Sequence, residues 1–471
     1  MKRVIVIGAG ITGLAAAYQL HETAAAREFP IDLKIFEAAP RAGGTIKTIY
    51  RDGFVIETGA DSFISEKPWA FDLIRRLGLE SPLIGTQEEF RKTFVVRRGK
   101  LCEIPEGFSL IAPLNLGPVF RSPIFNFFGK MRIAMEPRVK PKNHDEDESL
   151  SSFVKRRLGR QALDRLVQPL AGGIYTADPE RLSITATFPK FIEFEREQGS
   201  VIRGLRVEQK KNRRTTQARG ARWSLFLSLE GGMQTLVDRL VSRIGNGGIH
   251  LGTAVRSINR ANDAWTVELA GGAREGADAI ICTVPAFAAA DLTAGAAPDL
   301  SAELRKINYS SAATVNLAWR ERDFPTPPKS FGFVVPAIEK RKIIAGSFSS
   351  LKFEARAPFE TILARAFLGG VLQNEMMSLD DDQMVAAARD EFRSLFGVTA
   401  QPLLTHVERM PNSMPQYEVG HMARVSRIEA LEGQPPGFVL AGAYLHGVGI
   451  PDSIHSGEMA AERIFATISS R

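Results

Sequence analysis

The chain opens with a hydrophobic pattern of strand, glycine turn, helix and strand. Residues 4–7 form an unbroken apolar run, which is typical of a strand that is covered on both faces. The apolar positions over residues 14–20 predict a helix, and those over residues 33–36 predict a second strand. We therefore expect an α/β arrangement at this end of the chain.

Three later segments also have strand patterns. Ala264–Leu269 and residues 342–348 predict antiparallel strands with one solvated face. Residues 279–285 are apolar and end in Pro285, so they predict another buried strand. The sequence shows no internal repeat.

Residues 108–142 combine many apolar and aromatic positions with basic residues such as Arg121, Lys130 and Arg132. Basic residues among aromatics are typical of a surface that lies against a membrane. The alternative, which we favour, is a helical subdomain that buries those aromatic side chains. The sequence leaves both interpretations open.

Two runs of charge lie in the middle of the chain. Residues 144–148 are mostly acidic and predict a solvated loop. Residues 203–222 hold eight Lys or Arg against one Glu, which predicts a mobile exposed loop. A specific anionic partner for this basic run is the second interpretation.

Size and composition narrow the classes of protein. A chain of 471 residues, 44% hydrophobic and 24% charged, is expected to form two or more globular domains. Only Cys102 and Cys282 are present, so we expect neither a disulfide framework nor a metal site, and a cytoplasmic protein without a cleaved leader. The net charge of +7 permits an acidic ligand or an anionic membrane surface. No transmembrane run and no nucleic-acid-binding motif is evident.

The glycine loop after the first strand has the spacing Gly8-x-Gly10-x-x-Gly13. Glycine permits the tight turn at the first position, approach of a pyrophosphate at the second and close helix packing at the third. The helix start offers free N–H groups and a positive dipole end to phosphate. Glu37, at the end of the second strand, is placed to accept ribose hydroxyls. The loop therefore predicts a bound dinucleotide.

Two further segments favour FAD over a nicotinamide dinucleotide. Residues 41–45 join a basic residue to a glycine pair, which suits a long cofactor that passes close to the backbone. Residues 440–452 form a glycine-rich turn before a helix that we expect to begin near Ser453. Such a helix start can direct a positive dipole end at the N1 and C2=O region of a flavin.

Five blocks along the chain resemble the flavin-containing amine oxidase and protoporphyrinogen oxidase superfamily, and within it the porphyrinogen oxidases. They are residues 169–183, residues 231–236, the FGxVVP block at 331–336, the FxxRAP block at 353–358 and the PQYxxGH block at 415–421. Because the blocks occur in order over nearly the whole chain, the resemblance is specific at the level of the family.

The resemblance implies a fold and its division into domains. The fold is α/β, with a Rossmann-like FAD-binding domain of the amine-oxidase type, an interleaved α+β substrate domain and a helical subdomain. The FAD-binding domain takes residues 1–90, 225–295 and 430–471. The substrate domain takes residues 91–105 and 296–429. The helical subdomain takes residues 106–224, and it either faces a membrane or buries its aromatic side chains.

The implied activity is the oxidation of a porphyrinogen to a porphyrin in haem synthesis, with O₂ as acceptor and H₂O₂ as product. The substrate is protoporphyrinogen IX, which we slightly prefer, or coproporphyrinogen III. Flavin N5 carries the chemistry, so no side chain is expected to be catalytic. The implied partners are the porphyrinogen and O₂, with a peripheral contact to the inner face of the cell membrane, a homodimer and transfer of product to a ferrochelatase as open expectations.

The resemblance also implies site residues. Those expected at FAD are Gly8, Ala9, Gly10, Ile11, Thr12, Gly13, Glu37, Ala38, Arg41, Gly44, Thr45, Gly59, Ala60, Asp61, Ser62, Val255, Met410, Val448, Gly449 and Ile450. Those expected at the substrate are Lys67, Gly173, Phe331, Val334 and Phe367, with Lys67 as the propionate partner. Thr93 stands where several eukaryotic members carry an arginine, so the cation that binds the propionates stays open.

Two other functions remain open at this point. An amine oxidase of the same fold would need an aromatic cage and a lysine near N5, which the sequence does not locate. A flavoprotein that acts as a carrier in haem assembly would bind the cofactor without turnover.

Overall fold

The computed structural model describes residues 1–142, 146–219, 224–261, 264–434 and 436–470. Within them the strands are β1 (Lys2–Ile7), β2 (Ile31–Phe36), β3 (Thr48–Arg51), β4 (Phe54–Glu57), β5 (Phe63–Ile64), β6 (Leu83–Gly85), β7 (Thr93–Arg97), β8 (Lys100–Glu103), β9 (Phe108–Ser109), β10 (Ala112–Pro113), β11 (Phe226–Leu229), β12 (Ile249–His250), β13 (Val255–Ala261), β14 (Ala264–Leu269), β15 (Arg274–Ala277), β16 (Ala279–Cys282), β17 (Tyr309–Arg320), β18 (Gly332–Val334), β19 (Ala345–Phe348), β20 (Thr361–Gly369), β21 (Leu404–Pro415) and β22 (Phe438–Leu440).

The helices follow the same order along the chain. They are α1 (Ile11–Ala26), α2 (Pro68–Arg76), α3 (Leu116–Arg121), α4 (Phe127–Ala134), α5 (Leu150–Arg157), α6 (Arg160–Ala162), α7 (Gln168–Tyr175), α8 (Ile184–Thr187), α9 (Pro189–Gln198), α10 (Val201–Arg219), α11 (Gln234–Ile244), α12 (Ala286–Thr293), α13 (Pro298–Leu304), α14 (Ser349–Lys352), α15 (Asp381–Phe396), α16 (His421–Glu432) and α17 (Ile450–Ser469). A π-helical turn, Leu163–Val167, joins α6 to α7.

A five-stranded parallel sheet has the order β12, β2, β1, β16, β22. Its centre is β1, which is covered on both faces, as its unbroken apolar run predicted. The strands predicted at residues 4–7 and 33–36 and the helix predicted at residues 14–20 are confirmed as β1, β2 and α1. The strand predicted at residues 279–285 is β16, and it ends at Cys282, before the proline.

Helices α1 and α17 pack together on this sheet. A Cβ atom on Gly457 of α17 would lie 2.2 Å from the carbonyl oxygen of Thr12 in α1, so the close approach requires glycine there. Helix α17 begins at Ile450, earlier than the start expected near Ser453. The amino-terminal parts of the two helices are therefore neighbours.

A seven-stranded mixed sheet has the order β21, β17, β20, β19, β18, β7, β8. Only the β18–β7 pair in this sheet is parallel within the described residues. One face packs on α15. On the other face, the Thr314 hydroxyl donates to the carbonyl oxygen of Thr58, which directly follows β4, at 2.9 Å. The antiparallel strand predicted at residues 342–348 is confirmed as β19, which begins only at Ala345. Its expected solvated face is wrong, because three of its four residues are buried and none is exposed.

Helices α3 to α10 form a separate apolar core together with one face of the seven-stranded sheet. The expected burial of aromatics in residues 108–142 is confirmed for Phe125, which is 2% exposed. It is wrong for Phe120, Phe127 and Phe128, which are 43%, 68% and 77% exposed. In α4 Gly129 and Ile133 are buried, whereas Phe127, Phe128 and Met131 are exposed.

The predictions at the two charge runs need correction, the basic run for its loop and the acidic run for the solvation of Glu148. The basic run at residues 203–222 lies largely in α10, because Val201, Ile202 and Leu205 pack into the core at helical spacing. The acidic run ends in Glu148, which is 6% exposed rather than solvated and accepts hydrogen bonds from Ser152 and Arg156. Residues 144–145 and 220–222 of these runs lie outside the described residues.

Cys102 and Cys282 are both free thiols. No helix in the described part of the chain is long and apolar enough to cross a membrane.

Candidate active site

The glycine loop connects the end of β1 to the start of α1. Gly8 has a φ of +101°, and a Cβ atom there would lie 2.8 Å from the Thr283 hydroxyl oxygen. A Cβ atom on Gly13 would lie 2.0 Å from the Gly8 carbonyl oxygen, whereas one on Gly10 would meet nothing within 4 Å. The outer side of the loop at Gly10 is thus open, and no side chain caps the N–H groups at the start of α1.

The segment of residues 41–45 folds against this loop. The Gly43 N–H donates to the Ala9 carbonyl oxygen at 2.8 Å. The Arg41 guanidinium donates to the carbonyl oxygens of Ala42 and Ile46 and also contacts that of Gly44, so it holds its own loop in shape. This loop is thereby fixed beside the helix start.

The segment of residues 59–62 adjoins the 41–45 loop. A Cβ atom on Gly59 would lie 1.9 Å from the Thr45 carbonyl oxygen, so these two backbones are in direct contact. Ala60 is exposed, while Asp61 is 8% exposed. The structure therefore brings this predicted cofactor segment to the glycine loop.

Glu37 lies at the carboxyl end of β2, beside the same loop. Its carboxylate accepts the N–H of Ala9 at 2.7 Å and the N–H of Ala39 at 2.8 Å, one on each oxygen. Each oxygen retains lone-pair capacity for a hydroxyl group. The Thr253 N–H donates to the Glu37 carbonyl oxygen at 2.7 Å, which brings the neighbourhood of Val255 to this edge as well.

The start of α17 lies farther along the same groove. No side chain caps the N–H groups at Gly449, the residue that precedes this helix of 20 residues. Because Gly457 touches Thr12 near the start of α1, the two uncapped helix starts are separated by about 10 Å along α17. Val448 packs against the apolar core that contains Val334.

These features fit FAD. The open backbone at Gly10 and the start of α1 suit a pyrophosphate, and the Glu37 carboxylate suits a ribose. A second uncapped helix start beyond the first suits the electron-rich end of a flavin. One groove thus collects sequence-distant pieces of the chain.

An apolar row crosses the face of the seven-stranded sheet that is turned toward this groove. In register the row is Thr314, Phe367, Ala345, Val334 and Val95, on five neighbouring strands. Gly173 of α7 meets the row, since a Cβ atom there would lie 4.0 Å from Val334 Cγ1. Of the predicted substrate residues, the structure therefore brings together Gly173, Val334 and Phe367, with Val448 in the same core.

Two predicted residues lie apart from this wall. Phe331 precedes β18 and donates its N–H to the carbonyl oxygens of Phe90 and Lys92, and the apolar core described above does not include it. Met410 on β21 pairs with Ala312, beyond the Thr314 end of the row.

A buried charged cluster adjoins the row, and we call Asp61, Lys352 and Arg365 the Asp61 cluster. Lys352 Nζ lies 2.9 and 3.1 Å from the two Asp61 carboxylate oxygens, and Arg365 Nη2 lies 3.4 Å from one of them. Arg365 Nη1 donates to the carbonyl oxygens of Glu57 and Gly59 at 3.0 and 2.7 Å. The second sheet thus fixes the backbone of the predicted flavin segment.

Two carboxyl groups in this region have perturbed pKa values. Burial alone would raise the pKa of Asp61, but the positive charges of Lys352 and Arg365 outweigh it and hold that pKa well below its usual range. Glu57 is also buried, and burial raises its pKa to about 7 although the Met233 N–H and Arg356 oppose the shift. Lys352 and Arg365 therefore share the ionised carboxylate of Asp61. The nearby carboxyl group of Glu57 has a pKa of about 7.

Lys67, predicted as the propionate partner, precedes α2 and forms an ion pair with Asp452 of the first turn of α17, at 2.5 Å. Its side chain is 39% exposed. Thr93 begins β7 in register with Gly332, next to the Val95 end of the apolar row. Lys67 therefore lies at the start of α17. Thr93 lies at the Val95 end of the apolar row, opposite the Thr314 end.

The sequence reasoning missed Lys352 and Arg365. Lys352 directly precedes the FxxRAP block that was read as a resemblance only. Arg365 lies in the largely apolar strand β20. A charged residue within such a strand is unusual, and this signal could have identified Arg365 from the sequence.

Known proteins that resemble this chain support the same interpretation. A family model described as flavin containing amine oxidoreductase matches residues 11–465. The coproporphyrinogen III oxidase of Bacillus subtilis (strain 168) is 32% identical over 460 residues, which are 98% of this chain and 97% of that protein. The coproporphyrinogen III oxidase of Staphylococcus aureus (strain NCTC 8325 / PS 47) is 31% identical, covering 99% of this chain and 100% of that protein.

A solved structure agrees over the full length. The crystal structure of a protein from Exiguobacterium sp. 255-15, assigned as a protoporphyrinogen oxidase, has a TM-score of 0.85 and 30% identity and covers 98% of each chain. The predicted α/β fold of the amine-oxidase type and the predicted FAD cofactor are thereby confirmed. The chain belongs to the family of flavin-containing amine oxidoreductases, and it is an FAD-dependent oxidoreductase.

Proposed function

We propose that the protein oxidises a porphyrinogen to the porphyrin in haem synthesis, with O₂ as the acceptor. The observation that carries this proposal is the flat apolar wall formed by Gly173, Val334 and Phe367 beside the cofactor groove. An apolar macrocycle needs such a wall. Full-length relatives named coproporphyrinogen III oxidase support the proposal.

FAD, when bound, accepts hydride equivalents and is reoxidised by O₂ with release of H₂O₂. We propose that it is held by the loop of residues 8–13, by Glu37 and Ala38, by residues 41–45 and 59–62, and by residues 448–450, with Val255 and Met410 as outer contacts. The side chains then contribute orientation and exclusion of water rather than acid–base chemistry. The domain boundaries given above belong to the same proposal.

We propose coproporphyrinogen III as the preferred substrate. This reverses the slight preference for protoporphyrinogen IX drawn from the sequence, because the two curated relatives above at 31–32% identity carry the coproporphyrinogen name. The additional carboxylates of that substrate need cations. Lys67 stays our proposed partner, which requires that a carboxylate compete with Asp452.

The exposed apolar edge of the helical region leads to a proposal about location. We propose that a cytoplasmic protein touches the inner face of the cell membrane through Phe120, Phe127 and Phe128, since exposed aromatics beside Lys and Arg suit a bilayer surface. A homodimer and transfer of product to a ferrochelatase complete the proposal.

Anaerobic mixing of the purified holoenzyme with each porphyrinogen tests the proposed function. We expect coproporphyrinogen III to bleach the flavin absorbance fastest, protoporphyrinogen IX more slowly, and putrescine not at all. Bleaching by the amine alone would contradict the proposal and favour an amine oxidase. A flavin that no substrate bleaches would favour a carrier flavoprotein instead.

A further inference from the structure

A small cleft beside the turn that joins β7 to β8 is lined by three arginines. Its volume is about 90 Å³. Besides Arg97, Arg98 and Arg165, its lining consists of one carboxylate, Glu339, and the apolar side chains of Val95, Val96, Ile124, Pro336 and Ile338. The volume suits one small anionic group rather than a macrocycle.

The cleft is built from two irregular pieces of backbone. Arg98, with a φ of +49°, and Gly99, with a φ of +72°, form the turn between β7 and β8. A non-glycine residue in this left-handed region carries strain. Arg165 lies in the π-helical turn, a rare geometry that is frequent at functional sites. Both irregular segments supply an arginine to the same cleft.

The positive charge in the cleft has no carboxylate counterpart at contact distance. Among the described residues, none of the three guanidinium groups forms an ion pair, and Arg165 Nη1 donates instead to the Ile124 carbonyl oxygen at 2.8 Å. The Glu339 carboxylate is engaged by the N–H groups of Arg98 and Gly99 at 2.8 and 3.2 Å. Burial, together with repulsion from Arg97 and Arg98, lowers the pKa of Arg165. The cleft thus holds three guanidinium groups against one carboxylate, that of Glu339, which backbone N–H groups engage.

Exposed apolar side chains lie on the cleft lining and on the helix that follows it in sequence. The buried lining residue Ile124 shortly precedes α4, whose Phe127 and Phe128 are 68% and 77% exposed, with Met131 at 40%. On the lining itself, Ile338 is 52% exposed. A free anion in water would need no such apolar rim, whereas a lipid phosphate lies next to apolar chains.

We propose that this cleft binds the phosphate group of an anionic phospholipid and so orients the protein on a bilayer. Binding at this cleft does not depend on turnover, although Val95 belongs both to the cleft lining and to the end of the apolar row. The basic cleft supplies headgroup selectivity, while the aromatic edge supplies contact with the acyl region.

The test is co-sedimentation of the holoenzyme with vesicles of phosphatidylcholine alone or mixed with phosphatidylglycerol. The cleft variant carries Arg97→Gln, Arg98→Gly and Arg165→Gln. Glycine at position 98 suits the left-handed backbone, so this substitution also limits the loss of stability. A charge-matched control carries Arg256→Gln, Arg274→Gln and Arg322→Gln, which are exposed positions outside the cleft.

We expect the phosphatidylglycerol-dependent part of binding to fall about 100-fold in the cleft variant and much less in the control. The flavin absorbance and melting temperature should stay close to the wild-type values, which shows that the fold is intact. Equal losses in the two variants would overturn the proposal, because diffuse charge would then explain the binding. Equal binding of wild-type protein to both vesicles would also overturn it.

Two further experiments distinguish a lipid phosphate from free phosphate and test the role of the exposed aromatic side chains. Titration calorimetry with inorganic phosphate should show only weak binding, and tight binding that the cleft variant abolishes would reassign the site to a soluble anion. The double variant Phe127→Ser and Phe128→Ser should weaken binding to both kinds of vesicle. Failure of porphyrinogen turnover would leave all of these results unaffected, so the two proposals are tested independently.

Discussion

Two buried charged clusters lie in different parts of this molecule and differ in their balance of charge. In the helical region, Arg157 is fully buried and donates to the carboxylates of Glu136 and Glu195, with Nη1 to Glu195 Oε1 at 3.1 Å. We call these three residues the Arg157 cluster. At the cofactor groove, the Asp61 cluster has two cations for one carboxylate.

The difference in charge indicates that the Arg157 cluster has a structural role and the Asp61 cluster a role at the cofactor. Each carboxylate of the Arg157 cluster has a partner inside the chain, since Arg156 also pairs with Glu195 and Ser200 donates to Glu136 at 2.6 Å. Such a cluster fixes one packing of helices and needs no ligand. The Asp61 cluster keeps an excess of positive charge next to the proposed flavin segment, where an electron-rich group is expected. An excess of buried positive charge therefore distinguishes the Asp61 cluster from the Arg157 cluster.

The largest effect is expected from Arg157→Met. The substitution leaves Glu136 buried without its cation, so the free energy of unfolding should fall by about 3–5 kcal/mol. Urea denaturation followed by circular dichroism measures the change. Arg160→Met is the control, since that side chain is 83% exposed and only pairs with Asp164. Similar losses in both variants would contradict a special role for the buried cluster.

The next effect depends on pH and concerns Glu57, beside the Asp61 cluster. Its pKa is about 7 in the folded protein against an ordinary glutamate pKa of 4.5, so the unfolded chain loses this proton first as pH rises. The free energy of unfolding therefore falls between about pH 4.5 and 7 and levels off above, by up to about 3 kcal/mol. Glu57→Gln should remove this fall.

Urea denaturation at a series of pH values from 4.5 to 8 measures this effect. The advantage of Glu57→Gln over the wild-type protein should grow with pH across that window. Glu354→Gln, at an exposed carboxylate, should give a curve parallel to the wild type. A parallel curve for Glu57→Gln would show that this group does not hold its proton in the fold.

A smaller loss of stability is expected from Lys352→Met, because Asp61 keeps Arg365 and the Ser62 hydroxyl as partners. We expect a loss of about 1–3 kcal/mol. The rate of anaerobic flavin reduction by coproporphyrinogen III should fall by roughly tenfold or more, since the flavin segment loses its tether. Lys352→Arg should restore most of the rate. If Lys352→Met reduces the flavin at the wild-type rate, the Asp61 cluster has only a structural role.

The smallest effect on stability is expected from Lys67→Met. A partly exposed ion pair contributes about 0–1 kcal/mol, so unfolding should change little. The KM for coproporphyrinogen III should nevertheless rise by roughly fivefold with kcat unchanged, as expected for loss of uniform substrate binding. Asp452→Asn, which frees the lysine, should not raise KM. An unaltered KM in Lys67→Met would show that Lys67 does not bind the substrate.

Local patterns predicted the cofactor side of the molecule well. The turn at Gly8, the helix after it and the carboxylate of Glu37 all follow from residues within one short segment. The substrate wall was harder, because Val334 and Phe367 meet only through strand register, and Phe331 was placed in the wall although it lies apart from it.

Charge misled the sequence reasoning where a few apolar residues decide the structure. Val201, Ile202 and Leu205 anchor α10 despite the basic run that follows them. The exposed aromatics Phe127 and Phe128 could not be separated from the buried Phe125, since only packing decides which side of a short helix is covered.

The contact between Gly457 and Thr12 has a consequence for biosynthesis. The ribosome delivers β1 and α1 well before their packing partner α17 and the edge strand β22, which come much later in the chain. Until α17 emerges, the side of α1 that it covers stays exposed, which makes the nascent chain a substrate for chaperones. We therefore expect the cofactor to be loaded only after α17 has been synthesised.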